Sequence, residues 1–206
     1  LHHLIDAQKQ NKAVILLGGH RTTLDLGGRL CTQFFAADCV YRPQNNPLLE
    51  WFIYNARRRI FDEQISNHDM KKLITRLKQG RIIWYSPDQD FGLEHGVMAT
   101  FFGVPAATIT AQRRLIKLGD KANPPVIIMM DMLRQTPDYI AKGHRPHYHI
   151  SLSAALKNYP SDDETADAER INRLIEQNIQ KDLTQWMWFH RRFKTQADDT
   201  NYYQHS

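Results

Sequence analysis

Cysteine is scarce in this chain of 206 residues: there are two, Cys31 and Cys39. They lack metal-ligand spacing and are too few for a disulfide scaffold, so a reducing, cytosol-facing compartment fits best. Long apolar runs are missing as well. No block reaches the roughly 18 consecutive apolar residues of an uninterrupted membrane-spanning helix. Signal-peptide pattern, internal repeat and low-complexity linker are equally lacking. With 42% hydrophobic residues the chain can bury a sizeable core, so one domain over 1–206 is expected. The first residue is Leu1 rather than Met, and a strand follows almost at once, so an upstream segment is expected. Acidic residues are outnumbered, 22 against 27 Lys and Arg, giving a net charge of +5. That surplus favours an anionic partner: nucleic acid, a membrane surface or an acidic protein.

What is present alternates between strand and helix patterns. "AVILL" (13–17) is a buried-strand run, and 24–35 has helical spacing. A short strand at 39–41 is closed by "RPQNNP", and Pro47 suits the first turn of a helix to about residue 59. An amphipathic helix over 68–79 stops at Gly80. "RIIWYS" (81–86), "PVIIMMDML" (125–133) and "HYHISL" (147–152) read as strands, with a helical segment around 108–118 and a charged helix over 163–181. Strands separated by helices predict an α/β fold with a mainly parallel central sheet flanked by helices.

Ligands of such sheets sit beyond the carboxyl ends of the strands. The stretch "VILLGGHRTTLDLGG" places His20 there, with Asp25 about one helical turn further on. One reading is bland: His20 closes a strand and Asp25 caps a helix. The other is catalytic, with a carboxylate fixing the imidazole tautomer while the free ring nitrogen takes a proton from a hydroxyl. Spacing alone leaves both open.

Five blocks bear on that choice: "GGHRTTLDLGGR", "VYRPQNNPLLEW", "RIIWYSPDQDFG", "TFFGVPAATIT" and "WMWFHRRFKT". In this order the sequence resembles the late acyltransferases of lipid A biosynthesis, over about residues 13–195. That family is similar in its catalytic motif to the glycerolipid acyltransferases, which implies a glycerolipid-acyltransferase-like fold. The resemblance implies His20 as the base and Asp25 as its orienting carboxylate. It also implies acyl carrier protein as donor, a hydroxyl of a lipid A precursor as acceptor, no cofactor, and the cytoplasmic face of a bacterial inner membrane. A glycerophospholipid acyltransferase and a non-catalytic lipid-binding protein are the alternatives.

The other polar candidates divide similarly. Arg57, in "NARRR", either complements a helix dipole or, by the resemblance, holds a phosphate or steadies charge on the thioester oxygen. Arg58 and Arg59 read as surface or membrane-facing. Asp88 and Asp90 in "SPDQDFG" suit loop hydrogen bonding near the site better than a metal, and with Arg42 they are assigned to substrate binding. "FFGVPAATIT" suits either an acyl-tunnel wall or plain core. His144, His147 and His149 fit a solvated edge. "WMWFHRRFK" interleaves aromatic with basic residues, as membrane-interface and RNA-binding segments do. The resemblance favours lipid over nucleic acid and sets His190, Arg191, Arg192 and Lys194 beside the anionic acceptor. Members usually carry an N-terminal hydrophobic anchor and a helical region before it; neither lies in this sequence.

Overall fold

Short β-rich apolar runs become neighbouring strands: β1 (Val14–Leu17), β4 (Ile82–Tyr85) and β7 (Val126–Arg134). The computed structural model describes residues 1–135, 142–143, 147–198 and 200–203. β2 (Asp38–Tyr41), β3 (Gln64–Ser66) and β8 (Tyr148–Leu152) complete a six-stranded sheet in the order β3-β2-β4-β1-β7-β8. β1 runs parallel to both β4 and β7, and β2 parallel to β3 and β4; only β8 is antiparallel, to β7. The fold is the α/β architecture the alternation predicts.

Every residue of β1 and β4 is buried, because helices cover both faces of the sheet. The period of two divides the core. Ile15, Leu17, Ile83, Tyr85, Ile127 and Met129 face one way, against Leu73 and Leu77 of α4 (Met70–Lys78), Leu115 of α5 (Ala111–Leu118) and Ile171 and Ile175 of α6 (Glu164–Gln180). Val14, Leu16, Ile82, Trp84, Ile128 and Met130 face the other, against Leu4 of α1 (His2–Lys9) and Cys31 of α2 (Leu24–Cys31). Burial pushes the Cys31 and Cys39 thiols up to about 11 and about 12, so both behave as small apolar side chains.

Several boundaries differ from the sequence reading. α1 occupies the stretch read as a lead into β1, its Leu4 and Ala7 buried. α2 stops at Cys31, where Phe34 N–H already turns back onto the Cys31 carbonyl. α3 (Pro47–Arg57) begins at Pro47 as expected, with the Asn46 side chain accepting from Leu48 and Leu49 N–H. "TFFGVPAATIT" is an antiparallel hairpin, β5 (Gly96–Phe101) with β6 (Val104–Ile109), and its Phe101, Ala106 and Ala107 lie in the core. β3 carries one buried aliphatic side chain, Ile65, too weak a pattern to read. His144 lies outside the described residues. Among the described residues no helix is long and apolar enough to cross a membrane.

A close approach sets α2 on the sheet. A Cβ at Gly28 would stand 2.6 Å from Phe61 Cζ and 3.3 Å from the Trp84 ring. Overpacking of this kind costs about 1–3 kcal/mol, more than the helix propensity a larger residue recovers. Gly28→Val is therefore expected to lower the unfolding free energy by about 2 kcal/mol in urea denaturation. An unchanged midpoint would mean that α2 does not sit against Phe61 and Trp84.

Candidate active site

β1 and β4 are adjacent, parallel and in register, Leu17 opposite Tyr85. Three residues beyond Leu17 stands His20; three beyond Tyr85 stands Asp88. The loops leaving the two strands thus bring imidazole and carboxylate together at the carboxyl edge of the sheet. His20 Nδ1 lies 2.5 Å from Asp88 Oδ1, and the His20 backbone N–H donates to Asp88 Oδ2 at 2.7 Å. Trp186 Nε1–H donates to the same Oδ2 at 2.8 Å. Gly19 makes room for this: a Cβ there would stand 3.2 Å from Asp88 Oδ2.

The Asp88 side chain is 1% exposed and that of His20 16%. Burial acts to raise the Asp88 carboxyl, but the positive charge available on His20 and three donated hydrogen bonds outweigh it and hold the group at about 2. An unfolded aspartate titrates at about 3.9, so this carboxylate adds stability above that pH, lost as pH falls through about 2. An ionised carboxylate only accepts, so Nδ1 is the nitrogen that carries a proton toward Asp88, and Nε2 is the one that holds the lone pair in the neutral form of the ring. Nε2 faces Gln89, whose side-chain amide nitrogen lies 3.2 Å away and equally 3.2 Å from a ring nitrogen of His190. The His20 and His190 rings meet edge to face at 4.9 Å. Burial lowers the His190 pKa and the neighbouring His20 lowers it further, against the pull of Asp88, so His190 is neutral at neutral pH.

The expected His20–Asp25 hydrogen bond is replaced by the one to Asp88. Asp25, at the start of α2 and 72% exposed, accepts from Arg57 Nε at 2.9 Å and Nη2 at 2.6 Å. The cause is geometric. Asp88 follows β4, the strand in register beside β1, at the same remove as His20 follows β1, whereas Asp25 lies in the first turn of α2. Asp88, assigned to substrate binding in the sequence reading, is buried against the imidazole. Asp90 turns inward too, accepting from Thr195 N–H at 2.7 Å, Thr195 Oγ1–H at 2.9 Å and Gly92 N–H at 2.9 Å.

The C-terminal aromatic and basic segment is largely a strap. Thr22 N–H donates to the Gln185 carbonyl and Met187 N–H to the His20 carbonyl, an antiparallel bridge centred on Arg21 and Trp186. Arg192, expected beside the lipid phosphates, is 2% exposed. Its guanidinium donates to the Ala107 carbonyl at 2.6 Å and Thr108 Oγ1 at 2.8 Å, and lies over the Phe101 ring. Burial lowers its pKa against the opposing charges of Asp88 and Asp90. It pins the strap to the β5–β6 hairpin and does not reach the surface. Arg191, in a left-handed conformation over the Tyr203 ring, is exposed, as are Lys194 and Arg42.

Four residues of this cluster escaped the sequence reading. Trp186 stood inside the matched "WMWFHRRFKT" block, but its hydrogen bond to Asp88 left no mark in the pattern. Gln89 stood between the two singled-out aspartates. Arg21 and Asp131 form a buried pair at 3.0 Å, with Arg21 also donating to the Asn178 carbonyl and, at 2.7 Å, to the Asp182 carbonyl near the end of α6. A charged residue each in a glycine-flanked loop and in an apolar strand was the available signal.

Comparison with known proteins bears on this geometry. A family model described as bacterial lipid A biosynthesis acyltransferase matches residues 1–195. A lipid A biosynthesis acyltransferase of Haemophilus influenzae is 36% identical over 200 residues, 97% of this chain and 60% of the relative. The lipid A biosynthesis palmitoleoyltransferase and lauroyltransferase of Escherichia coli are 34% and 33% identical over 199 residues each, covering 95% and 96% of this chain and 60% and 61% of the relatives. The chain thus spans about three fifths of the length of these relatives. With nearly its whole length matched by the family model, the chain belongs to the bacterial lipid A biosynthesis acyltransferase family.

Proposed function

We propose that this protein is an O-acyltransferase that moves a fatty acyl chain from an acyl carrier protein thioester to a hydroxyl of a lipid A precursor. It would act in a late step of lipopolysaccharide assembly, at the cytoplasmic face of the bacterial inner membrane. The observation that carries the reading is the His20–Asp88 pair, with Nδ1 tied to a buried carboxylate and Nε2 turned to the site. Family membership and the acyltransferase names of the relatives support the reaction class.

The chemistry follows from the pair. The acceptor hydroxyl takes the position that the Gln89 amide occupies before Nε2. His20 removes its proton as the oxygen attacks the thioester carbonyl, forming the C–O bond and a tetrahedral oxyanion. Asp88 remains ionised and stabilises the imidazolium without taking its proton. Collapse breaks the C–S bond, and the imidazolium returns the proton to the leaving sulfur. Arg57 is the cation for an acceptor phosphate or for the oxyanion, and Asp25 holds its guanidinium in place through two hydrogen bonds. The exposed Arg42, Arg191 and Lys194 are the basic surface for the acidic carrier and the lipid phosphates.

His20→Ala is expected to abolish transfer from acyl carrier protein to a lipid A precursor, measured in detergent. Normal turnover by the folded variant would favour a lipid-binding protein without chemistry. Asp88→Asn is expected to lower kcat by about 10³–10⁴, as loss of the tautomer-fixing carboxylate does elsewhere, with the acceptor KM little changed. Equal kcat for Asp88→Asn and wild type would remove Asp88 from the mechanism.

Asp25→Asn and Arg57→Ala should behave alike, because each breaks the same pair. If Arg57 holds a phosphate, both raise the acceptor KM; if it faces the oxyanion, both lower kcat. Unlike responses of the two variants, read from steady-state kinetics, would separate Asp25 from Arg57 in function.

A further inference from the structure

Helix α3 has no buried residue. Its inward side carries Glu50 and Arg57, spoken for by Tyr41 and Gln44 and by Asp25. Its outward side carries Leu48, Trp51 and Phe52, exposed by 75%, 63% and 67%. These stand at i, i+3 and i+4, one continuous apolar stripe turned away from the protein. Contiguous exposed apolar side chains on a well-capped helix mark an interaction surface.

The charges beside the stripe select its partner. Arg58 and Arg59, both exposed, follow its C-terminal end, and exposed Arg42 precedes its N-terminal end. Glu50, the sole acid of the helix, points inward to the Tyr41 hydroxyl at 3.1 Å and the Gln44 N–H at 2.7 Å. A Trp–Phe–Leu stripe flanked by arginines, with no outward acid, complements an apolar layer bordered by negative charge. The helix has 11 residues, about 16 Å, too short to cross a hydrocarbon core of about 30 Å. It can lie in the interface only.

We infer that α3 is an interfacial helix that seats the protein on an anionic lipid bilayer, with Leu48, Trp51 and Phe52 inserted at headgroup depth. Its Arg57 joins it to the first turn of α2, one turn beyond His20, so seating α3 brings the catalytic loop to the layer where an amphiphilic acceptor presents its hydroxyl. That last consequence rests on the proposed function; the membrane contact does not.

The test uses vesicles of phosphatidylglycerol and phosphatidylethanolamine and the 206-residue protein. Wild type should co-sediment with them, and L48S/W51S/F52S, with an unchanged unfolding midpoint, should partition at least about 10-fold more weakly, since three apolar side chains no longer enter the bilayer. Brominated lipid should quench wild-type tryptophan fluorescence, and the quenching should fall in Trp51→Phe, a reading that survives if the triple variant does not fold. Undiminished binding by the folded triple variant, or quenching undiminished in Trp51→Phe, would overturn the assignment. So would a wild type that ignores vesicles but dimerises through this face in sedimentation velocity. No turnover is read, so failure here and failure of the His20 mechanism are told apart.

Discussion

The hydrogen bond between His20 and Asp88 depends on the parallel pairing of β1 with β4, and the rest of the site is arranged around that pairing. Two strands in register, each followed by a tight loop, bring an imidazole and a carboxylate together from positions 68 apart in the chain. A buried carboxylate is costly to ionise, and here three donors offset the cost: the His20 ring, the His20 backbone and the Trp186 indole. The same three donors fix the carboxylate and, through it, the orientation of the ring.

Trp186 reaches Asp88 because residues 185–187 pair with the backbone of the His20 loop. Arg21 fastens that loop to the end of α6 and to Asp131, and Arg192 fastens the strap to the β5–β6 hairpin. A segment whose composition reads as lipid-binding is thus divided in use. Trp186 and Arg192 are buried and hold the His20 loop and the β5–β6 hairpin; Trp188, Phe189, Arg191 and Lys194 are exposed. Aromatic and basic alternation does not distinguish a side chain that meets solvent from one that meets a carbonyl in the interior.

The α/β fold and mainly parallel sheet were legible because β1, β4 and β7 are short apolar runs with helical patterns between them. The weaker elements were not. Ile65 is one aliphatic residue in a strand of three, and β6 adjoins α5 so closely that the helical segment read at about 108–118 took in its last two residues. His20 was legible from its place after a strand and two glycines. Its partner was not, since choosing Asp88 over Asp25 requires knowing that β4, far away in sequence, lies beside β1 in register. The family resemblance pointed to the carboxylate five positions on; the sheet brings in another, three residues beyond β4 as His20 is three beyond β1.

The tautomer of His20 is the most direct test of this account. Nitrogen NMR of the imidazole in the resting protein at neutral pH should show the proton on Nδ1 and an unprotonated Nε2, with that preference lost in Asp88→Asn and kept in Asp25→Asn. A proton on Nε2, or a preference that survives loss of the Asp88 charge and disappears with that of Asp25, would contradict it.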